Sequence, residues 1–357
     1  QSVNYKMQMR ISKNYTSKQF WKDKNVLITG INGFIGGNLS KHLNSLGAKI
    51  IGISNNQIKN KFLEHEKLTR KIRLCRINLK NFNSLNKFVA SNTIDICIHL
   101  AAQVDVNIAK VDPLTTFQSN ITGTFNLLEA LRRKNKVKSI IVASSDKAYG
   151  SYPLDQLPYK ETYDLRPTYP YDVSKACCDL ISKSYSSDLF KMPIITTRFA
   201  NIYGPGQLNF TALVPDCILA IEKYRKFIPR GNGSNKRDFL YVKDVCDLYT
   251  CLAYNLYKDN TLSGQIFNAG TTRGYTVDKI ISELCKISNQ DRLYLEIKNN
   301  YKNKRLVGEI KHQFMNYSKL NRFFGWKPTY KIRDGLSETL VWYKDFLKKY
   351  SYKRFIN

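Results

Sequence analysis

Residues 26–37 read Val-Leu-Ile-Thr-Gly-Ile-Asn-Gly-Phe-Ile-Gly-Gly, a short β-branched run followed by glycines spaced G-x-x-G-x-x-G at Gly30, Gly33 and Gly36. A helical pattern of Leu39, Leu43 and Leu46 comes next and is closed by Gly47, after which Ala48 to Ile53 reads as a second buried strand. Strand, glycine turn, helix and strand within about 30 residues form a βαβ unit. Glycines placed there permit a tight turn, close approach of a pyrophosphate and close helix packing. The helix start adds unpaired N–H groups and the positive end of a dipole. Gly30, Asn32, Gly33, Phe34, Ile35 and Gly36 are therefore expected to cradle a dinucleotide.

The alternation continues. Apolar runs at 72–77, 94–100, 139–144 and 193–199 are separated by helical stretches near 82–90, 119–134 and 172–187. Their near-continuous apolar character suits strands buried on both faces. The fold class expected is α/β, a Rossmann-type doubly wound parallel sheet with a smaller α/β C-terminal lobe. Residues 1–22 read as a basic arm, flexible or wrapped on the surface, 23–203 as the dinucleotide domain, and 204–357 as a substrate lobe with some segments returning to the sheet. Helical runs near 212–224, 243–257, 276–287 and 334–349 fill that lobe. The crevice beyond the strand ends is where a ligand is expected.

Composition excludes several classes. No apolar run approaches the roughly 20 residues of a membrane helix, and the first twenty residues carry no apolar secretory core. The eight cysteines form no C-x-x-C pair and several sit in apolar segments, as in a reduced cytoplasm. Four scattered histidines argue against a metal site. The net charge of +29 is spread along the chain without a basic helix bearing interleaved aromatics, which fits attraction of phosphorylated ligands rather than a specific nucleic-acid site.

The stretch from Ala143 to Lys175 carries the chemistry. Tyr171 and Lys175 are four apart and share one helix face. An ammonium beside a phenol, with a cationic nicotinamide nearby, is expected to lower the tyrosine pKa from about 10 towards neutrality. Ser145 can hydrogen-bond the same substrate oxygen. Asp146 and Lys147 add an acid and a possible base at the end of a strand. After the second strand, Ser54-Asn55-Asn56 offers no acid for ribose hydroxyls, Asn78 stands near the adenine end, and Lys59 or Lys61 is near enough in sequence to meet a 2′-phosphate. On these residues the choice between NAD and NADP is open.

Seven motifs occur in order: Thr29 to Gly36; His99-Leu-Ala-Ala-Gln103; Asn120 in Ser-Asn-Ile-Thr-Gly-Thr; Ser144-Ser-Asp-Lys-Ala-Tyr-Gly150; Tyr171 to Lys175; Arg198-Phe-Ala-Asn-Ile-Tyr-Gly-Pro205; and Arg237-Asp-Phe239 leading to Val242-Lys-Asp244. On these the chain resembles an extended short-chain dehydrogenase/reductase of the nucleotide-sugar epimerase/dehydratase family. The Asp146-Lys147 pair is similar to that of CDP-glucose 4,6-dehydratases. The resemblance implies a 4,6-dehydratase in which Tyr171 accepts the O4 proton, Asp146 is the general acid, and Lys147 is the C5 base or an enolate-stabilising cation. It also implies NAD as the cofactor, with contacts from Asn78, Leu79, Leu100, Ala101 and Ala102, and a diphosphate held by Asn201 and Arg237. Arg305 is a second arginine there or one of many solvated basic residues. A homodimer through the helices carrying Asn120 and Tyr171, as a four-helix bundle, is implied as well. The rivals are a 4-epimerase, a 5,6-dehydratase, or a non-catalytic nucleotide-binding module, the last opposed by the intact Ser145, Tyr171 and Lys175.

Overall fold

The computed structural model describes residues 13–55, 60–229, 231–301 and 310–355. Seven strands form one sheet: β1 (Asn25–Thr29), β2 (Lys49–Ser54), β3 (Arg73–Arg76), β4 (Ile96–His99), β5 (Ser139–Ala143), β6 (Ile194–Phe199) and β7 (Ile266–Ala269). They are all parallel and lie in the order β7-β6-β5-β4-β1-β2-β3. Side chains alternate across a strand, so Val26 and Ile28 enter one core while Leu27 enters the other. Both faces are covered, which explains why these strands read as unbroken apolar runs.

Helices α1 (Phe34–Ser45), α2 (Phe82–Ser91), α3 (Gly123–Lys134), α4 (Pro170–Ser186) and α5 (Val242–Lys258) supply the cover. Local chemistry sets their ends. The Asn81 side chain accepts from the Ser84 amide at 3.0 Å to start α2. Pro170 occupies the first turn of α4, where its missing N–H costs nothing. Arg132, Arg133 and Lys134 complement the negative end of α3 before left-handed Asn135 stops it. α2 packs with α3 on one face and α1 with α5 on the other. The strand order reverses at β1 and β4, and the loops beyond them open a crevice.

Two features make the sequence reading specific. β7 is a seventh strand supplied from beyond residue 204, and its polar Asn268 is accommodated because it accepts from the Tyr149 hydroxyl at 2.8 Å and donates to the Tyr159 carbonyl at 3.1 Å. The basic lead-in is docked over its described part. Trp21 is fully buried, Phe20 meets Tyr254 edge-on at 4.6 Å, and the Tyr15 hydroxyl donates to Asp247 Oδ2 at 3.0 Å. Three aromatic rings outweigh the local polarity there. The remaining lobe holds two small sheets, Asn201–Tyr203 with Phe239–Tyr241, and Tyr275–Thr276, Lys236–Arg237 and His312–Gln313 together. It also holds an unanticipated helix at Asp291–Tyr301. Among the described residues no helix is long and apolar enough to cross a membrane.

Candidate active site

The glycine turn interlocks with the turn after β4. Gly30 has φ +70°, and a Cβ on it would come within 2.8 Å of the Ala101 amide. A Cβ on Gly36 would overlap the Gly30 carbonyl oxygen. The cradle is thus shaped for backbone alone, which fits a pyrophosphate seated on the first turn of α1.

A buried hydrogen-bond chain fixes this floor. Thr29 Oγ1 accepts from the Leu100 and Ala101 amides, each at 3.1 Å, and lies 2.7 Å from His99 Nδ1. His99 Nε2 is 2.9 Å from Thr124 Oγ1, which donates to the Asn120 carbonyl at 2.5 Å. Burial pushes the His99 pKa down to about 3, so the ring is neutral, and the network assigns its proton to Nε2. Asn120 sits in a single wide helical turn (Gln118–Thr122) ahead of α3. Its side chain pairs with both backbone groups of Gln103 at 2.7 and 3.0 Å and donates to Ser174 Oγ at 2.8 Å, tying the β4 loop to α4.

α4 brings Tyr171 and Lys175 to the strand ends. Lys175 Nζ donates to the Ala143 carbonyl at 2.9 Å, and Ser144 Oγ donates to the Lys175 carbonyl at 3.1 Å. A buried ion pair secures the helix to β6: Arg198 Nε donates to Asp179 Oδ2 at 2.5 Å, and its Nη1 donates to the Tyr149 hydroxyl at 2.8 Å. Tyr149 ends the short helical turn Asp146–Tyr149, which Ser145 caps by accepting from the Lys147 amide at 3.2 Å. Ser145 Oγ also donates to Asp146 Oδ1 at 3.0 Å. Asp146 Oδ2 is buried with no partner among the described residues. Lys147 Nζ donates to Gln313 Oε1 at 3.0 Å, a contact between residues 166 apart in sequence.

Electrostatics separates these groups. Burial raises the Asp146 carboxyl, with Lys147 opposing. Burial pushes Asp172 up to about 6, again against Lys147. Burial also lowers Lys175. The expected lowering of Tyr171 is reversed in the protein by itself: burial pushes the phenol up, and the Ser145 hydrogen bond only partly offsets it. A charge stronger than these neighbours is needed to free its proton.

Every expected site residue except Arg305, which lies outside the described residues, lines one cavity of about 1280 Å³. The glycine turn, Asn78, Leu79 and Leu100 to Ala102 line one part, and Ser145 to Lys147, Tyr171 and Lys175 the middle. Asn201 and Arg237 lie in the same cavity, Arg237 oriented by Nη1 donating to the Lys236 and Lys311 carbonyls at 3.0 and 2.9 Å. Ser54 and Asn55 line the end of β2 without a carboxylate. Lys61 pairs with Glu64 at 2.7 Å; Lys59 lies outside the described residues. Sequence reasoning passed over Asp172, although it adjoins Tyr171, and Gln313, which no local pattern marks.

Comparison with known proteins places these residues in a wider setting. The family model for GDP-mannose 4,6 dehydratase matches residues 27–339. A trifunctional UDP-glucose 4,6-dehydratase/UDP-4-keto-6-deoxy-D-glucose 3,5-epimerase/UDP-4-keto-L-rhamnose-reductase of Arabidopsis thaliana is 29% identical over 327 residues, which are 90% of this chain and 47% of that protein. The chain thus spans about half the length of the plant relatives it matches. CDP-glucose 4,6-dehydratase of Salmonella typhimurium is 24% identical over 350 residues, 93% of each chain. Among solved structures, UDP-glucuronic acid 4-epimerase of Bacillus cereus, in complex with UDP-glucuronic acid and NAD, superposes with TM-score 0.77 at 26% identity, covering 90% of this chain and 99% of that one.

Proposed function

The chain belongs to the GDP-mannose 4,6 dehydratase family, and from that membership we propose that it is a nucleotide-hexose 4,6-dehydratase that uses NAD. One observation carries the reading: Asp146 and Lys147 share a cavity with Ser145, Tyr171 and Lys175, and Asp146 is buried with a raised pKa. An epimerase needs only the hydride machinery. A carboxyl that keeps its proton is what departure of a C6 hydroxyl requires.

Gly30, Gly33 and Gly36 with the first amides of α1 would hold the pyrophosphate of NAD, and Tyr171 and Lys175 its nicotinamide end. When bound, NAD would supply the acceptor for the C4 hydride and its donor to C6, together with a positive ring that would offset the burial holding the proton on Tyr171. Tyr171 receives the O4 proton, with Ser145 hydrogen-bonding the same oxygen. The C4 ketone acidifies the C5 proton. Asp146 gives its proton to the departing C6 oxygen. Lys147, steadied by Gln313, faces the reaction as base or as cation, and Asn201 and Arg237 hold the diphosphate, where the Arg guanidinium matches phosphate oxygens. NAD in a superposing relative favours NAD over NADP here. Incubation with CDP-, dTDP-, GDP- and UDP-glucose tests the reading: one of them is expected to yield a 4-keto-6-deoxy product. A product that keeps its C6 hydroxyl contradicts it.

The functional unit is a homodimer in this reading. Exposed apolar side chains on neighbouring helices support it, among them Ile108 (49%), Val111 (87%) and Leu114 (64%), with Phe125 on α3 and Leu180 on α4 (61%). Eight free thiols suit a reducing cytoplasm.

A further inference from the structure

Lys147 is an awkward base. As an ammonium it has no lone pair, and two buried carboxyls, Asp146 and Asp172, line the cavity with it. Its Nζ is moreover engaged as a donor to Gln313. The proton on C5 needs another acceptor.

Asp172 is the third residue of α4, next to Tyr171, and only 2% exposed. It lines the cavity with Tyr171, Asp146 and Lys147. The first turn of a helix welcomes a carboxylate, and a merely structural acid there would face solvent or cap an amide. Asp172 does neither: it is buried, and no hydrogen bond to its carboxylate is formed among the described residues. The charged groups that act on it are Lys147 and Asp146, both on the turn Asp146–Tyr149. A carboxyl brought to about 6 by burial is largely ionised at neutral pH and still a usable base. Asp146, with its second oxygen sealed and unpartnered, is the one suited to keep a proton. Lys147 thus shares the cavity with two carboxyls of opposite tasks.

We propose that Asp172, rather than Lys147, is the base that takes the C5 proton, and that Lys147 stays an ammonium ion that stabilises the enolate. This rests on the dehydratase reading. In the step, the Asp172 carboxylate forms an O–H bond as the C5–H bond breaks, and the electron pair moves onto the C4 carbonyl oxygen. The pair then returns to form C5=C6 while the C6–O bond breaks and Asp146 protonates the leaving oxygen. Water is lost, Asp172 ends protonated and Asp146 ionised, and no oxidant or reductant is consumed. Asp172 gives a proton back to C5 when hydride reaches C6.

The test is Asp172→Asn in the full-length protein, assayed with whichever of the four nucleotide glucoses the wild type converts. Keto-sugar formation is expected to fall about 10²–10⁴-fold, the usual worth of a general base. Oxidation at C4 precedes the blocked step, so the absorbance of reduced nicotinamide is expected to rise on mixing and persist, a signal that also reports a folded protein able to bind its ligands. Asp172→Glu is expected to retain part of the rate and to shift the acid limb of kcat/KM, which in the wild type falls below a pH of about 6. Asp172→Asn turnover within about threefold of wild type overturns the proposal. So does loss of the reduced-nicotinamide signal together with product, since that marks a role in holding Tyr171. A wild type that dehydrates none of the four overturns the dehydratase reading itself, and a C5 base with it.

Discussion

Replacing Arg198 with Met is expected to be costly, for reasons visible in its surroundings. Arg198 is 3% exposed and Asp179 likewise, and 2.5 Å separates the guanidinium from the carboxylate. The guanidinium also lies 4.7 Å over the Tyr149 ring. Removing one member of a buried pair strands the other, typically at about 3–5 kcal/mol. At about 2 °C per kcal/mol in a long chain, the melting point is expected to drop by roughly 6–10 °C. Burial already raises Asp179, and Arg198 is the largest influence opposing that rise. In the variant the carboxyl is held further above its unfolded value, so its protonated form is the folded one. Stability is therefore lost as pH rises, and the deficit is expected to be larger at about pH 8 than at about pH 5. Melting by calorimetry, repeated for Asp179→Leu and for the double variant, completes the cycle. The double variant is expected to recover most of the loss, because apolar replacement of a buried pair is often neutral. A single variant within about 1 kcal/mol of wild type, or a double variant no better than Arg198→Met, refutes the reasoning.

Gly36→Ala is expected to weaken NAD binding about 10–100-fold in a calorimetric titration, since its methyl overlaps backbone and overpacking costs about 1–3 kcal/mol; unchanged affinity refutes the cradle. Asp146→Asn is expected to abolish keto-sugar formation yet raise the melting point at neutral pH by about 1–3 °C, because it removes a buried carboxyl with one unpartnered oxygen whose raised pKa costs stability once ionised. A lower melting point counts against that electrostatic picture. Leu180→Glu is expected to give a monomeric mass by light scattering, and a monomeric wild type contradicts the dimer.

Much of this architecture is legible in the sequence, because buried parallel strands carry an unbroken apolar signal and glycine turns are local. β1 to β6 and the cavity's cofactor side follow from runs and spacings of that kind. β7 escaped because Asn268 interrupts its apolar run, and the hydrogen bonds that make Asn268 acceptable come from Tyr149 and Tyr159, more than 100 residues away. Gln313 escaped for the same reason, since its meaning lies in Lys147. Asp172 escaped differently. Its neighbour Tyr171 explains the motif well enough that a carboxyl on the same turn attracts no notice, and only burial reveals it as more than a helix-start acid. The direction of the Tyr171 pKa also needed the fold, because a Tyr-x-x-x-Lys spacing says nothing of how deeply the phenol is enclosed.

In the proposed reaction hydride leaves C4 and returns to C6 within one molecule while water is lost. A nucleotide glucose deuterated at C4 follows that atom directly. Nuclear magnetic resonance of the product is predicted to find the deuterium in a new C6 methyl group, beside a keto carbon at C4. Deuterium still at C4, with the C6 hydroxyl intact, contradicts the account.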